Sequence, residues 1–178
     1  ENWNDPDLPF YYVQLSSIDR PSWPWFRDSQ RRLMDAIPHT GMAVSSDYGD
    51  SLDVHPKNKR PIGERLAHWA LNRTYDKKQV VPSGPLFRSV DFREDAAYVS
   101  FDYADGLHTA DGRPIREFEI AETEGVYYPA KAEVVGNQVK VYSDRVKHPC
   151  HVRYAWRPFT RANLVNSQSL PASTFRSR

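Results

Sequence analysis

The hydrophobic periodicity of this chain changes once, at Ser83-Gly84-Pro85. Before that point, short apolar runs alternate with stretches whose apolar residues recur at helical spacing. After it, the apolar residues recur every second position. Phe10-Tyr11-Tyr12-Val13-Gln14-Leu15 is a near-continuous run of the kind that forms a strand covered on both faces. Phe26, Gln30, Leu33, Met34 and Ile37 then mark one face of an amphipathic helix, which Pro38 closes. Gly41-Met42-Ala43-Val44-Ser45-Ser46 reads as a second strand. Pro61 opens a second helix carrying Ile62, Leu66, Trp69 and Ala70 on one face, fading near Tyr75.

Strand–helix–strand–helix is the wiring of a parallel α/β sheet. Two parallel strands are too few to stand alone, because each bare edge leaves backbone donors and acceptors unpaired. This half is therefore expected to be completed by strands from elsewhere. Beyond Pro85 the alternation predicts strands around Val99, Phe101 and Tyr103; Phe118 and Ile120; Ala130, Ala132 and Val134; Val139 and Val141; and Val152, Tyr154 and Trp156. Gly136-Asn137 joins two of them as a type II′ hairpin prefers. Strands at this spacing point to an antiparallel β-sandwich. The predicted fold class is α/β plus all-β, with one domain over residues 1–82 and a second over 83–178. The polar tail from Asn163 to Arg178 is expected to lie over the surface.

Composition excludes several function classes. With 24 basic and 23 acidic residues the net charge is +1, so no long-range field attracts nucleic acid or an anionic membrane. No run of 18 apolar residues exists to span a bilayer. The single cysteine, Cys150, has no intrachain partner and reads as a small residue packed at a strand end. Glu1-Asn2-Trp3-Asn4-Asp5-Pro6 is neither an initiator methionine nor a signal peptide, which suggests a piece of a longer product.

The chemistry concentrates in the loop from Asp47 to Arg60. It follows a parallel strand and precedes a helix, and so lies at the carboxyl edge where open α/β proteins place ligands. His55 is suited to general-base work, and Asp53 or Asp50 can hold its other ring nitrogen. Pro56 restrains His55 to extended backbone angles. The same residue types also make an ordinary surface loop. A metal site lacks the further ligands and the HxxxH or CxxC spacing it would need, and no cofactor motif is present. No GxSxG or Gly-Asp-Ser block supplies a nucleophile, and Ser16-Ser17 and Ser45-Ser46 have no neighbouring glycine for close approach of a substrate.

Several blocks resemble the sialate O-acetylesterase family of the SGNH hydrolases. They are Pro9 to Leu15, the Trp25–Arg27–Gln30 spacing, Thr40-Gly41-Met42-Ala43-Val44, and Asp53-Val54-His55-Pro56-Lys57-Asn58-Lys59 with Pro61 to Leu66. Ser83-Gly84-Pro85 and the ending Leu170-Pro171-Ala172-Ser173 continue the match in order. The resemblance implies the C-terminal part of a three-layer α/β/α parallel sheet, followed by an accessory β-sandwich. It implies that His55 is the triad histidine and Asp53 its carboxylate, with Asp50 in reserve. The wider superfamily has its Asp three residues before the His, where Leu52 stands here. The implied partner is an N-terminal portion of the same enzyme that carries the serine, and the implied substrate is an O-acetylated carbohydrate. Gln14 and Arg27 lie near the expected active edge as candidate sugar contacts, and Trp23 with Trp25 as a candidate stacking platform. The implied setting is secreted or periplasmic in a bacterium, or lysosomal in an animal, where Asn72-Arg73-Thr74 would be a glycosylation acceptor. Two other readings stay open: a non-catalytic glycan-binding β-sandwich protein, and an acetylesterase acting on xylan or other plant glycans.

Overall fold

A computed structural model describes residues 4, 5 and 7–177; Glu1, Asn2, Trp3 and Pro6 of the amino-terminal run, and Arg178, lie outside them. Strand β1 (Phe10–Val13), helix α1 (Trp23–Ala36), strand β2 (Thr40–Ala43) and helix α2 (Arg60–Trp69) come first. A π-helical turn (Ala70–Thr74) ends α2. The remaining strands are β3 (Leu86–Arg93), β4 (Ala96–Asp102), β5 (His108–Thr109), β6 (Phe118–Ala121), β7 (Tyr128–Pro129) and β8 (Lys131–Val135). They are followed by β9 (Gln138–Tyr142), β10 (His151–Tyr154), β11 (Leu164–Val165) and β12 (Phe175–Arg176).

The expected three-layer α/β/α parallel sheet is not what these residues form. β1 and β2 pair in parallel, Phe10 opposite Thr40 and Val13 opposite Ala43, as a ribbon of two strands. Every other pairing between named strands is antiparallel. Among the described residues the α-helices are two and short, so the architecture is predominantly antiparallel β. A strand–helix–strand connection dictates that its two strands run parallel, but not that a sheet grows from them. Here the C-terminal β structure packs against α1.

Two four-stranded antiparallel sheets, ordered β3-β4-β9-β8 and β12-β10-β6-β7, enclose the larger core. Val99, Phe101, Val139 and Val141 from one sheet meet Phe118, Ile120, Val152 and Tyr154 from the other. The alternation that predicts these strands is the alternation that fills the core. β3 escapes it because its register shifts between Phe87 and Ser89, and such a bulge reverses which parity faces inward. At the Val135–Gln138 turn, Gly136 takes φ +60°, in keeping with its place first in a two-residue hairpin loop.

The tail does not lie over the surface. Leu164, Val165, Asn166, Ser173, Thr174 and Phe175 are buried. Phe175 stacks on Phe87 at 4.4 Å between ring centres and meets Phe101 edge-on at 5.7 Å. Polar composition misled because the buried asparagine and serines of the tail find partners inside. The Asn166 amide donates to the carbonyls of Ser83 (2.9 Å) and Tyr103 (3.1 Å), and Ser177 Oγ accepts from the Val152 amide. Gly84 is needed here, since a Cβ would fall 2.1 Å from the Pro171 carbonyl oxygen. Cys150 is exposed, not packed.

Helix α1 starts at Trp23, earlier than its apolar pattern suggests, with Pro24 accommodated in the first turn. It turns its charged side inward. Pro24, Arg27, Asp28 and Arg31 are buried, whereas Phe26 and Ile37 of the expected core face are exposed. Asp28 is paired with Arg31 (3.0 Å) and Arg32 (2.6 Å). Arg27, at 0% exposure, donates to the carbonyls of Pro158 (3.1 Å), Ala155 (3.2 Å) and Arg157. Burial pushes its guanidinium down to about 10, opposed by the nearby Glu117 carboxylate, so it stays charged at neutral pH.

Removing that guanidinium would strand three carbonyls against a buried cavity. Arg27→Met is expected to lower unfolding free energy by about 3 kcal/mol or more. Urea denaturation measures this, and a loss below about 1 kcal/mol would rule out the tie as a main support.

Candidate active site

His55 sits in the connection between β2 and α2, beyond the carboxyl ends of the two parallel strands. Its backbone N–H donates to Asp53 Oδ1 at 2.9 Å, and its ring Nδ1 lies 3.0 Å from the same oxygen. This places the ring proton on Nδ1 and leaves Nε2 as the free basic nitrogen. The ring is 82% exposed. The two bonds from His55, backbone first and ring second, hold the Asp53 carboxyl below its usual range. Asp50 is not on the ring, since its Oδ1 accepts from the Leu52 amide at 3.0 Å. Of the two carboxylates left open by sequence, Asp53 is the one the fold brings to the imidazole.

The loop is pinned from three sides. Ser16 Oγ donates to the Val54 carbonyl, and Ser17 Oγ to the Ser46 carbonyl at 2.6 Å. Gly49, at φ +127°, lies so close to Ser17 that a Cβ would meet its carbonyl oxygen at 2.5 Å. From α2, Arg65 makes a two-pronged pair with Asp47 (2.7 and 2.6 Å) and donates to the Val44 carbonyl (2.7 Å). The serines that flank the loop are thus engaged with backbone carbonyls; Ser45 Oγ donates to the Gln14 carbonyl at 2.5 Å. Among the described residues no hydroxyl hydrogen-bonds to His55.

An open groove of about 700 Å³ surrounds the pair, lined by Tyr48, Asp50, Asp53, His55, Lys57 and Arg161 among others. Arg161 is the residue that sequence reading missed. Its segment is set by Glu117, whose carboxylate accepts from the Arg161 amide (2.9 Å) and from Thr160 Oγ1. The Thr160 amide in turn points at Ser17 Oγ at 3.3 Å. Neither Arg161 nor Lys57 pairs with a carboxylate among the described residues. No local pattern around Arg161 marks it, because its place at the groove is made by contacts from distant segments.

Gln14 and Arg27 come together, but away from solvent. The Gln14 amide donates to the Arg27 carbonyl (2.9 Å) and to Ser173 Oγ (2.8 Å), and both residues are fully buried. In this arrangement they tie β1, α1 and the C-terminal segment together and present no polar atom to a sugar. Trp23 donates from its indole to the Ser16 carbonyl at 2.8 Å, while Trp25 remains half exposed. Asn72 is buried with its amide on the Val80 carbonyl (2.8 Å), so the Asn-x-Thr pattern is not displayed as an acceptor.

No protein-family model and no curated protein matches this chain. Among solved structures, the crystal structure of a carbohydrate acetylesterase from Xanthomonas citri superposes with a TM-score of 0.89 at 36% sequence identity. The similarity covers 97% of this chain and 41% of that protein, so the chain spans well under half of its length.

The two bonds on Asp53 respond differently to mutation. His55→Ala removes the ring but keeps the backbone N–H, and should raise the Asp53 titration only part of the way to an ordinary carboxylate. Carboxyl-carbon NMR across the acid range measures this, and an unchanged titration would mean that the ring bond is not formed in solution.

Proposed function

We propose that His55 and Asp53 are the base and the orienting carboxylate of an ester hydrolase that removes acetyl groups from carbohydrate hydroxyls. One observation carries the reading: an Asp–His pair joined at 3.0 Å in an open groove, in a chain similar over 97% of its length to a carbohydrate acetylesterase. The nucleophilic serine then comes from polypeptide outside these 178 residues. In support, the flanking serines are engaged elsewhere, and among the described residues β1 has β2 as its one strand neighbour. Leu8, Phe10, Val13, Phe26 and Ile37 are exposed apolar surface of the kind further polypeptide buries.

In this mechanism His55 Nε2 takes the serine proton as the hydroxyl oxygen attacks the acetyl carbonyl. Asp53, accepting from Nδ1, stabilises the imidazolium that forms. Collapse of the tetrahedral intermediate expels the sugar oxygen, which receives the proton from Nε2. Water deprotonated by the same nitrogen then hydrolyses the acetyl-serine and releases acetate. Asp53 is suited to its part because the bonds from His55 favour its ionised form.

Sialate is the substrate we favour among acetylated sugars. Arg161 and Lys57 line the groove with no carboxylate partner of their own among the described residues, and can receive the carboxylate of an acidic sugar. In this reading residues 1–82 bear the catalytic pair and 83–178 form an accessory β unit that delivers Arg161. The enzyme would work in the periplasm, outside the cell or in a lysosome.

His55→Ala is expected to lower acetate release by about 10²–10⁴-fold with little change in melting temperature, since the ring is exposed. Asp53→Asn should also lose activity. Retention of full turnover by His55→Ala would sink the proposal. Acetate release from O-acetylated sialic acid, compared with acetylated xylan, decides the substrate, and Arg161→Ala should weaken only the acidic one.

A further inference from the structure

A second concavity, of about 410 Å³, is built from Trp25, Tyr127, Trp156, Arg153, Arg176 and the Glu124-Gly125 turn, and shares no residue with the His55 groove. Its walls form a ladder of rings and guanidiniums. The Arg176 guanidinium carbon lies 4.3 Å from the Trp25 ring centre and 5.6 Å from that of Trp156. Arg153 follows, 6.0 Å from Trp156 and 3.9 Å from Tyr127. Trp156 meets Trp25 edge-on at 5.1 Å. Three elements far apart in sequence, α1, the Glu124 turn and the β10–β12 pair, therefore converge on one spot.

Packing alone does not account for the ladder. Trp156 is 8% exposed, as a packed indole should be, but Trp25 is 50% exposed. A large apolar ring is thus held rigidly and left open to water, which is costly unless something covers it. The charges around it are balanced: Arg176 pairs with Glu124 at 3.2 Å and Arg153 with Glu119 at 2.7 Å. Both guanidiniums that line the concavity are already paired, so a free anion competes with their carboxylates, and a cation meets two guanidiniums. A neutral group whose hydroxyls both donate and accept meets complementary partners on each side, with an aromatic surface for its apolar face.

We propose that this concavity is a saccharide subsite that takes one neutral pyranose ring of a glycan. The ring's C–H face would lie on the open surface of Trp25, with its hydroxyls accepting from the Arg153 and Arg176 guanidiniums and donating to Glu124. The stacked arginines fix the indole in advance, so binding loses little side-chain freedom. The segment that bears Trp156 also bears Arg161 of the His55 groove, so one stretch of chain contributes to both concavities. The subsite does not rest on the esterase reading, because binding is measured without turnover.

The test is calorimetric titration of the protein with cellotetraose, xylotetraose and β-1,4-galactotetraose, with tetragalacturonate as the charged comparison. At least one neutral oligosaccharide should bind with a Kd of about 1 mM or tighter. Trp25→Ala should weaken that binding at least about 10-fold, as expected for loss of a stacking anchor. Glu124→Ala, at an exposed rim position, should weaken it as well and guards against a Trp25 variant that fails to fold. The proposal is overturned by no binding of any neutral oligosaccharide at about 10 mM, by binding of tetragalacturonate alone, or by unchanged affinity in folded Trp25→Ala or in Glu124→Ala.

Discussion

The Arg27 guanidinium on the carbonyls of Ala155, Arg157 and Pro158 is the tie on which the rest of the molecule depends. It joins α1 to the stretch of chain between β10 and β11. That stretch carries Trp156 at one end and Arg161 at the other. Gln14 extends the tie by reaching from β1 to the Arg27 carbonyl and to Ser173. Glu117 completes it by holding Thr160 and Arg161 from the end of β6. A charged side chain buried this deeply is costly in itself, and is tolerated because its two Nη groups sit on fixed carbonyls and a carboxylate lies nearby.

That tie explains why α1 is inverted. An amphipathic helix ordinarily turns its apolar stripe to the core. Here the polar side faces inward because it is neutralised there: Asp28 sits between two arginines and Arg27 sits on backbone oxygens. The apolar stripe is left partly open, with Phe26 and Ile37 exposed. Helical periodicity therefore locates the helix and misassigns its inner face.

The strands of the larger core were legible because alternation and burial are one phenomenon. Val99 and Phe101, or Val152 and Tyr154, point inward because neighbouring side chains of a strand point to opposite faces. β3 was not legible, since a bulge after Phe87 shifts the parity that the reading relies on. Nor was the buried tail, whose serines, threonine and asparagine look like surface until their partners across the chain are known. At the candidate site, Asp53 and His55 could be read because they are two residues apart and a local turn suffices to join them. Choosing between Asp53 and Asp50 needed the turn itself. Gln14 and Arg27 were singled out for their place near the active edge, yet the fold spends them on internal bonds.

Local order was legible in the residues alone: the strand–helix–strand–helix order before Ser83, the alternating strands after it, the glycine-led turn at Gly136, and the histidine with a carboxylate within reach. Each is set by backbone geometry over a few residues, where periodicity and spacing are direct physical constraints. The folded chain alone reveals which helix face is buried, where the tail runs, and how Trp25, Tyr127 and Trp156 come to share one concavity while Arg161 lines the other. Those outcomes depend on pairing polar groups across long stretches of chain, and a buried arginine reads the same in sequence as an exposed one until the carbonyls that receive it are in place.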